Sequence, residues 1–203
     1  MTFPFSERLK IGGIFTSEKE IIKDGIFADL SAVFGKMQWP PIAAYLFANV
    51  FLLIGSDKIV LVLTEERKDK NIWVPPGGEL WYKILEQFRD AASREAGKEE
   101  MGIEINIDKL KLFDVQIGYP VEESPYKEKG ITSVIVYYIY PITEEELKKM
   151  NINAVREAGC NIVGVMTRPV PEILDDIEKS TINVYSAVYE ALKKLAIHLK
   201  EGK

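Results

Sequence analysis

Apolar positions along this 203-residue chain follow two rhythms, and their alternation sets the expected architecture. Nearly continuous apolar runs over 43–54 and 58–64, joined by Gly55, Ser56 and Asp57, predict two strands in a hairpin, buried on both faces. Leu85, Phe88, Ala91, Ala92 and Ala96 recur at helical spacing, so 85–101 reads as an amphipathic helix. β-Branched and aromatic runs predict strands over 110–117, 131–140 and 161–166, the second of them central and the last ended by Arg168 and Pro169. Thr143 with Glu146 three residues on forms a capping box for a short helix over 143–150. Val184, Val188, Leu192, Leu195 and Leu199 mark a last helix over 182–199, with Thr181 as its cap. The charged stretch 65–71 and the segment 118–130 read as loops. Ahead of these elements, Ser17 and Glu20 open a helix through Ile21, Ile22, Ile26, Leu30 and Val33, and Trp39-Pro40-Pro41 breaks it. The alternation of strands and helices predicts an α/β chain, an α/β/α sandwich on a mixed sheet. Residues 1–40 then form an N-terminal helical extension to a domain over 41–203.

Composition narrows the function classes. Hydrophobic residues make up 47% of the chain, enough for a core, yet no run of 18 apolar residues suggests a membrane span. The first residues lack the charged-then-apolar layout of a signal peptide. One cysteine, Cys160, cannot form an internal disulfide, and a cytoplasmic protein is the simple expectation. A net charge of −5 argues against nucleic-acid binding, which needs a basic footprint. The lone histidine, His198, lies in the last helix and reads as a surface residue, so serine–histidine and zinc chemistries have little support.

The chemistry concentrates in 73–103. Pro75, Pro76, Gly77 and Gly78 make a turn, and Gly102 suits the left-handed position that ends a helix. Between them lie Arg94, Glu95, Glu99 and Glu100. Glutamates on a helix beside Lys98 and Arg94 usually form only a solvated, ion-paired face. The Pro-Pro-Gly-Gly turn, the spacing from Glu86 and the terminal Gly102-Ile103 reverse that judgement. Together these residues resemble the signature of the Nudix hydrolases, G-x5-E-x7-R-E-U-x-E-E-x-G-U, where U is a bulky aliphatic. Gly78, Glu86, Arg94, Glu95, Glu99, Glu100, Gly102 and Ile103 fill its fixed positions. Two intervals depart: seven residues separate Gly78 from Glu86 where the family has five, and three separate Glu95 from Glu99 where it has two. On a regular α-helix, at about 100° per residue, Glu100 would point roughly 140° away from Glu95. A π-bulge near Gly97 would absorb the extra residue and restore the family's arrangement. The cost is a locally weaker helix, since glycine already disfavours helix by about 1 kcal/mol.

The resemblance implies a Nudix-like fold and hydrolysis of a diphosphate bond in a nucleoside diphosphate derivative, a small-molecule partner of the ADP-ribose or dinucleoside polyphosphate kind. It implies magnesium, with manganese as the alternative, held by Glu95, Glu99 and Glu100 with Glu86 as accessory ligand. Arg94 would orient the glutamates, and the general base would be one of the same acids or one on a loop such as Glu122 or Glu123. Gly77, Gly78 and Tyr119 are the expected substrate contacts; Tyr119 and Pro120 together occupy the window where family members select substrate. Trp81 or Tyr82 would stack on a base or, more commonly, serve as core or dimer contacts. Lys58, Arg67 and Arg168 are candidate phosphate contacts. Extensions like 1–40 serve either to form a homodimer, to shape the pocket or simply to cover the sheet. A Nudix-like module that binds a nucleotide without hydrolysing it is the alternative function.

Overall fold

The computed structural model describes residues 44–80, 87–117, 132–149 and 161–202. The helix expected over 17–33, the boundary at 40, and Trp81, Tyr82, Glu86, Tyr119, Pro120, Glu122, Glu123 and Cys160 lie outside the described residues.

Strand β1 (Ala44–Ile54) turns at Gly55 into β2 (Lys58–Thr64), as the apolar runs require. Here β1 and β2 pair only at the hairpin end, Leu53 with Ile59 and Ile54 with Lys58. Farther from the turn they separate, and the segment 74–79 enters the gap. Val74 bridges Val62 of β2, the Val50 N–H donates to the Pro76 carbonyl, and β3 (Gly77–Glu79) pairs antiparallel with Phe47–Asn49 of β1. The Gly-Gly turn is thus pinned to the central strand by main-chain bonds.

Five of the six strands follow the order β4-β5-β1-β2-β6, where β4 is Lys111–Ile117, β5 Thr132–Ile142 and β6 Ile162–Pro169; β3 joins at β1. The long β1–β5 ladder is parallel and the other pairings antiparallel, giving the mixed sheet expected. Strand β5 sits between β4 and β1, the internal position its apolar sequence suggests.

Register assigns the layers. Leu46, Ala48, Val50 and Leu52 face one side, all buried, beneath the helix that begins at Phe88 and whose own inner face is Phe88, Ala91, Ala92, Ala96 and Met101. Asn49 and Phe51 face the other side with Tyr137, which pairs with Asn49 and stacks on Phe51 at 5.5 Å. There Phe51 meets Phe113, and Phe113 meets His198 of the last helix. Lys194 of the same helix donates to Asp114 at 2.6 Å. Helices therefore cover both faces of the sheet, an α/β/α sandwich.

Local expectations change beyond the two glycines, read as a turn and found in strand β3. The charged stretch 65–71 forms a 3-10 helix over Glu65–Lys70, acidic in its first turn and basic in its last, as the helix dipole favours. The segment Val170–Glu178, unassigned from the sequence, is helix α3, with proline in its first turn. The last helix, α4, begins at Ser186 rather than near Thr181. The Asn183 backbone is committed elsewhere: it accepts from Trp73 N–H and donates to the Asn71 carbonyl. Thr181 ends α3 instead, donating through both its N–H and its hydroxyl to the Asp176 carbonyl. The short helix α2 (Glu144–Lys148) keeps its capping box, Thr143 Oγ1 accepting from Glu146 N–H and Glu146 accepting from Thr143 N–H. Among the described residues no helix is long and apolar enough to cross a membrane.

Candidate functional site

Helix α1 starts as an α-helix over Phe88–Ala92 and continues as a π-helix over Ser93–Met101. The extra residue is spread over two turns rather than confined to Gly97. With i→i+5 pairing, residues five apart come onto one face, which an α-helix would set about 140° apart. Arg94 consequently reaches Glu99, its Nη1 donating at 3.0 Å while also donating to Glu95 at 2.6 Å. Glu95 and Glu100, another pair five apart, are close enough for Glu95 to oppose ionisation of Glu100.

Gly97 makes the widened turn possible. Its carbonyl accepts from Gly102 N–H and from Ile103 N–H, and a Cβ on Gly97 would sit 2.9 Å from the Ile103 carbonyl oxygen. Gly102 ends the helix at φ 63°, the left-handed cap expected. Ser93 Oγ fastens the returning chain by donating to the Ile105 carbonyl at 3.0 Å.

The helix is tied to the Gly-Gly turn at three points. Glu100 accepts from Gly77 N–H at 2.7 Å, and Arg94 Nη2 donates to the Glu79 carbonyl at 2.9 Å. Gly78 lies against the Glu95 carboxylate, where a Cβ would overlap it. Gly77 has φ 151°, and a side chain there would strike the Ala48 carbonyl. The two glycines are needed for close backbone approach, each on a different neighbour.

Electrostatics divides the acids. Glu100 is 9% exposed, and burial pushes its carboxyl up to about 8; Glu95 and Glu99 push the same way, while the Gly77 hydrogen bond and Arg67 oppose. Burial also raises the Glu79 carboxyl. Glu95, with a side chain 16% exposed, is held between Arg94 and Gly78, whereas Glu99 at 43% opens to solvent. Glu79 was not singled out in the sequence; its place directly after the two glycines is the signal that could have found it.

Arg94, Glu95, Glu99, Glu100, Gly77 and Gly78 are thus assembled at one place. Among the described residues, however, no three acids converge closely enough to hold one metal ion. Glu95 and Glu99 are turned onto Arg94, and Glu100 onto Gly77, although Glu100 still feels the other two charges. The donors are all carboxylate oxygens, the set a hard divalent cation takes. A carboxyl pushed up by burial first, and then by two neighbouring anions, is also what such a cation would relieve.

No protein-family model and no curated protein sequence matches the chain. Solved structures do. A Caenorhabditis elegans Ap4A hydrolase in a binary complex matches with a TM-score of 0.53 and 16% identity over 77% of this chain and 98% of its own. The Escherichia coli ORF135 protein matches with 0.56 and 14% identity, over 82% and 98%. A NUDIX hydrolase from Alicyclobacillus acidocaldarius matches with 0.54 and 10% identity, over 75% and 90%. With a helix carrying Arg94 and three glutamates laced to a Gly-Gly strand at the split of a mixed sheet, and with these neighbours, the chain has the Nudix hydrolase fold.

Proposed function

We propose that this protein is a divalent-metal-dependent pyrophosphohydrolase acting on a diphosphate linked to a nucleoside. One observation carries the reading. Despite two insertions in the signature, Arg94, Glu95, Glu99 and Glu100 are brought onto one helix face and joined to the Gly77–Glu79 strand. A π-helix costs stability relative to an α-helix, and here it restores a particular set of contacts.

In this reading Glu95, Glu99 and Glu100 would hold magnesium or manganese, with Glu86 as accessory ligand. When bound, such a cation neutralises the diphosphate and lowers the pKa of a coordinated water. The chain's own groups do the rest. Arg94 holds Glu95 and Glu99 until they are needed and anchors the helix to Glu79. Gly77 and Gly78 leave the approach to the acids free of side chains. Glu100, protonated at neutral pH, must release that proton to become a ligand, so metal affinity rises with pH. Tyr119 remains the proposed substrate contact. An ADP-ribose-like or dinucleoside polyphosphate-like compound is the proposed substrate and the cytoplasm the proposed site of action. A homodimer built through 1–40 is the assembly to seek by light scattering.

A second reading has its own support: a module that binds a nucleotide without cleaving it. It is favoured by the pairing of Arg94 with both Glu95 and Glu99, which occupies two of the three acids. Product release from ADP-ribose, dinucleoside polyphosphates, nucleotide sugars and nucleoside triphosphates, with and without magnesium, separates the two. Magnesium-dependent products support the hydrolase; nucleotide binding without products supports the module.

A further inference from the structure

Gln116, the next-to-last residue of β4, is a buried amide that the fold satisfies at one end only. It is 5% exposed, and its Nε2 donates to Asp114 Oδ2 at 2.9 Å. Asp114 Oδ1 in turn accepts from Lys194 of α4 at 2.6 Å. An ionised carboxylate can only accept, so the pairing fixes which end of the amide faces Asp114 and leaves Oε1 on the other side. Among the described residues that buried oxygen has no donor. A buried acceptor held in one orientation and left unmatched is costly, and a ligand that donates to it recovers the cost.

The place of Gln116 in the sheet indicates which ligand. Register sets Gln116 beside Ile135, Ile135 beside Phe47 and Phe47 beside Glu79, one row across β4, β5, β1 and β3 on a single face. Phe47 and Ile135 are half-buried, whereas Phe51 and Tyr137 on the same face, toward His198, are fully buried. Among the described residues the row is therefore the more open part of that face. Three strand spacings of roughly 4.8 Å put Gln116 about 14 Å from the β3 end of the row. At that end the two faces of the sheet meet around glycines, with Gly78 against Glu95 and Gly77 against Asn49.

We infer that Gln116 is a specificity-determining residue for the nucleobase. Its Oε1 accepts from the exocyclic amino group of a base such as adenine and disfavours a keto oxygen in the same place. Asp114 and Lys194 are its positioning residues. The nucleotide lies along the row, phosphate at β3, with its sugar and ring over Phe47 and Ile135. The inference rests on the function proposed above, whose site supplies the phosphate end.

The test is calorimetric titration of the full chain, in magnesium, with AMP and with IMP, which carry an amino group and a keto oxygen at the same ring position. Wild type is expected to bind AMP at least about tenfold more tightly, as for a buried acceptor matched against one left unmatched. Gln116→Leu should bring the two affinities within about twofold while keeping the thermal transition of the wild type. Asp114→Asn is a second arm that leaves the Gln116 amide in place. The new amide can donate as well as accept, so Gln116 can turn over and present Nε2. The preference should then shrink or pass to IMP, a change that a merely structural role would not produce. An AMP preference that survives both substitutions overturns the inference. So does an equal weakening of AMP and IMP with a lowered unfolding temperature, which would mark Gln116 as structural only. A wild type that turns over compounds of the panel without preferring AMP to IMP sinks this inference alone. A wild type that binds neither mononucleotide and turns over nothing sinks the proposed function with it.

Discussion

Replacing Glu100 by Gln isolates the cost of a carboxylate buried at the heart of the candidate site. The Glu100 carboxyl is raised from 4.5 to about 8 in the folded protein, so between those values the fold retains a proton that the unfolded chain has released. A raised acid contributes its full stability below the unfolded pKa and loses it as pH climbs toward the folded one. At pH 7 the loss is about 3 kcal/mol, approaching roughly 5 kcal/mol above pH 9. Glutamine keeps an acceptor for Gly77 N–H but carries no charge. Glu100→Gln should therefore stabilise the cation-free protein by about 3 kcal/mol at pH 7, which for a chain of this size means a Tm higher by roughly 6–12 °C. The assay is thermal unfolding followed by circular dichroism in chelator between pH 4.5 and 9. The variant and the wild type should nearly coincide at the acid end and diverge as pH rises. A gap that is constant with pH, or a variant less stable throughout, would refute the reasoning.

Other consequences follow from the same geometry. Deleting Lys98, an exposed residue of the π-helix, should restore a regular α-helix with the family spacing, keep magnesium-dependent turnover and raise Tm; a folded deletion variant without turnover would contradict the bulge argument. Gly77→Ala should destabilise the fold by at least about 1–3 kcal/mol, because φ 151° is strained for alanine and its Cβ meets the Ala48 carbonyl; denaturant unfolding at wild-type stability would refute this. Magnesium affinity measured by calorimetry should rise between pH 7 and 8.5 with proton release, and a pH-independent affinity would remove Glu100 from the ligand set.

The long strands could be read from the chain because they are largely apolar runs, and the 58–64 strand matches residue for residue, whereas β3 (Gly77–Glu79) has no apolar run and read only as part of a turn. The widened helix could be anticipated because an insertion flanked on both sides by a matching signature has few places to go. Its length could not: π pairing spreads from Ser93 to Met101, which depends on Gly97 lying under the Ile103 carbonyl. The start of α4 was misplaced for a similar reason. Thr181 has a capping side chain, but Asn183 is held extended by Asn71 and Trp73, more than a hundred residues earlier in the chain. Periodicity carries no trace of such a contact.

Turnover of the best compound of the panel by wild type and by Glu99→Gln, with and without magnesium, tests the central claim most directly. Glu99 is the acid most open to solvent, so its replacement should leave the fold intact, as checked by its thermal transition. Product formed by the wild type only with magnesium, and lost by at least about a hundredfold in the folded variant, is the predicted result. Turnover that persists in Glu99→Gln, or that ignores magnesium, would contradict the account.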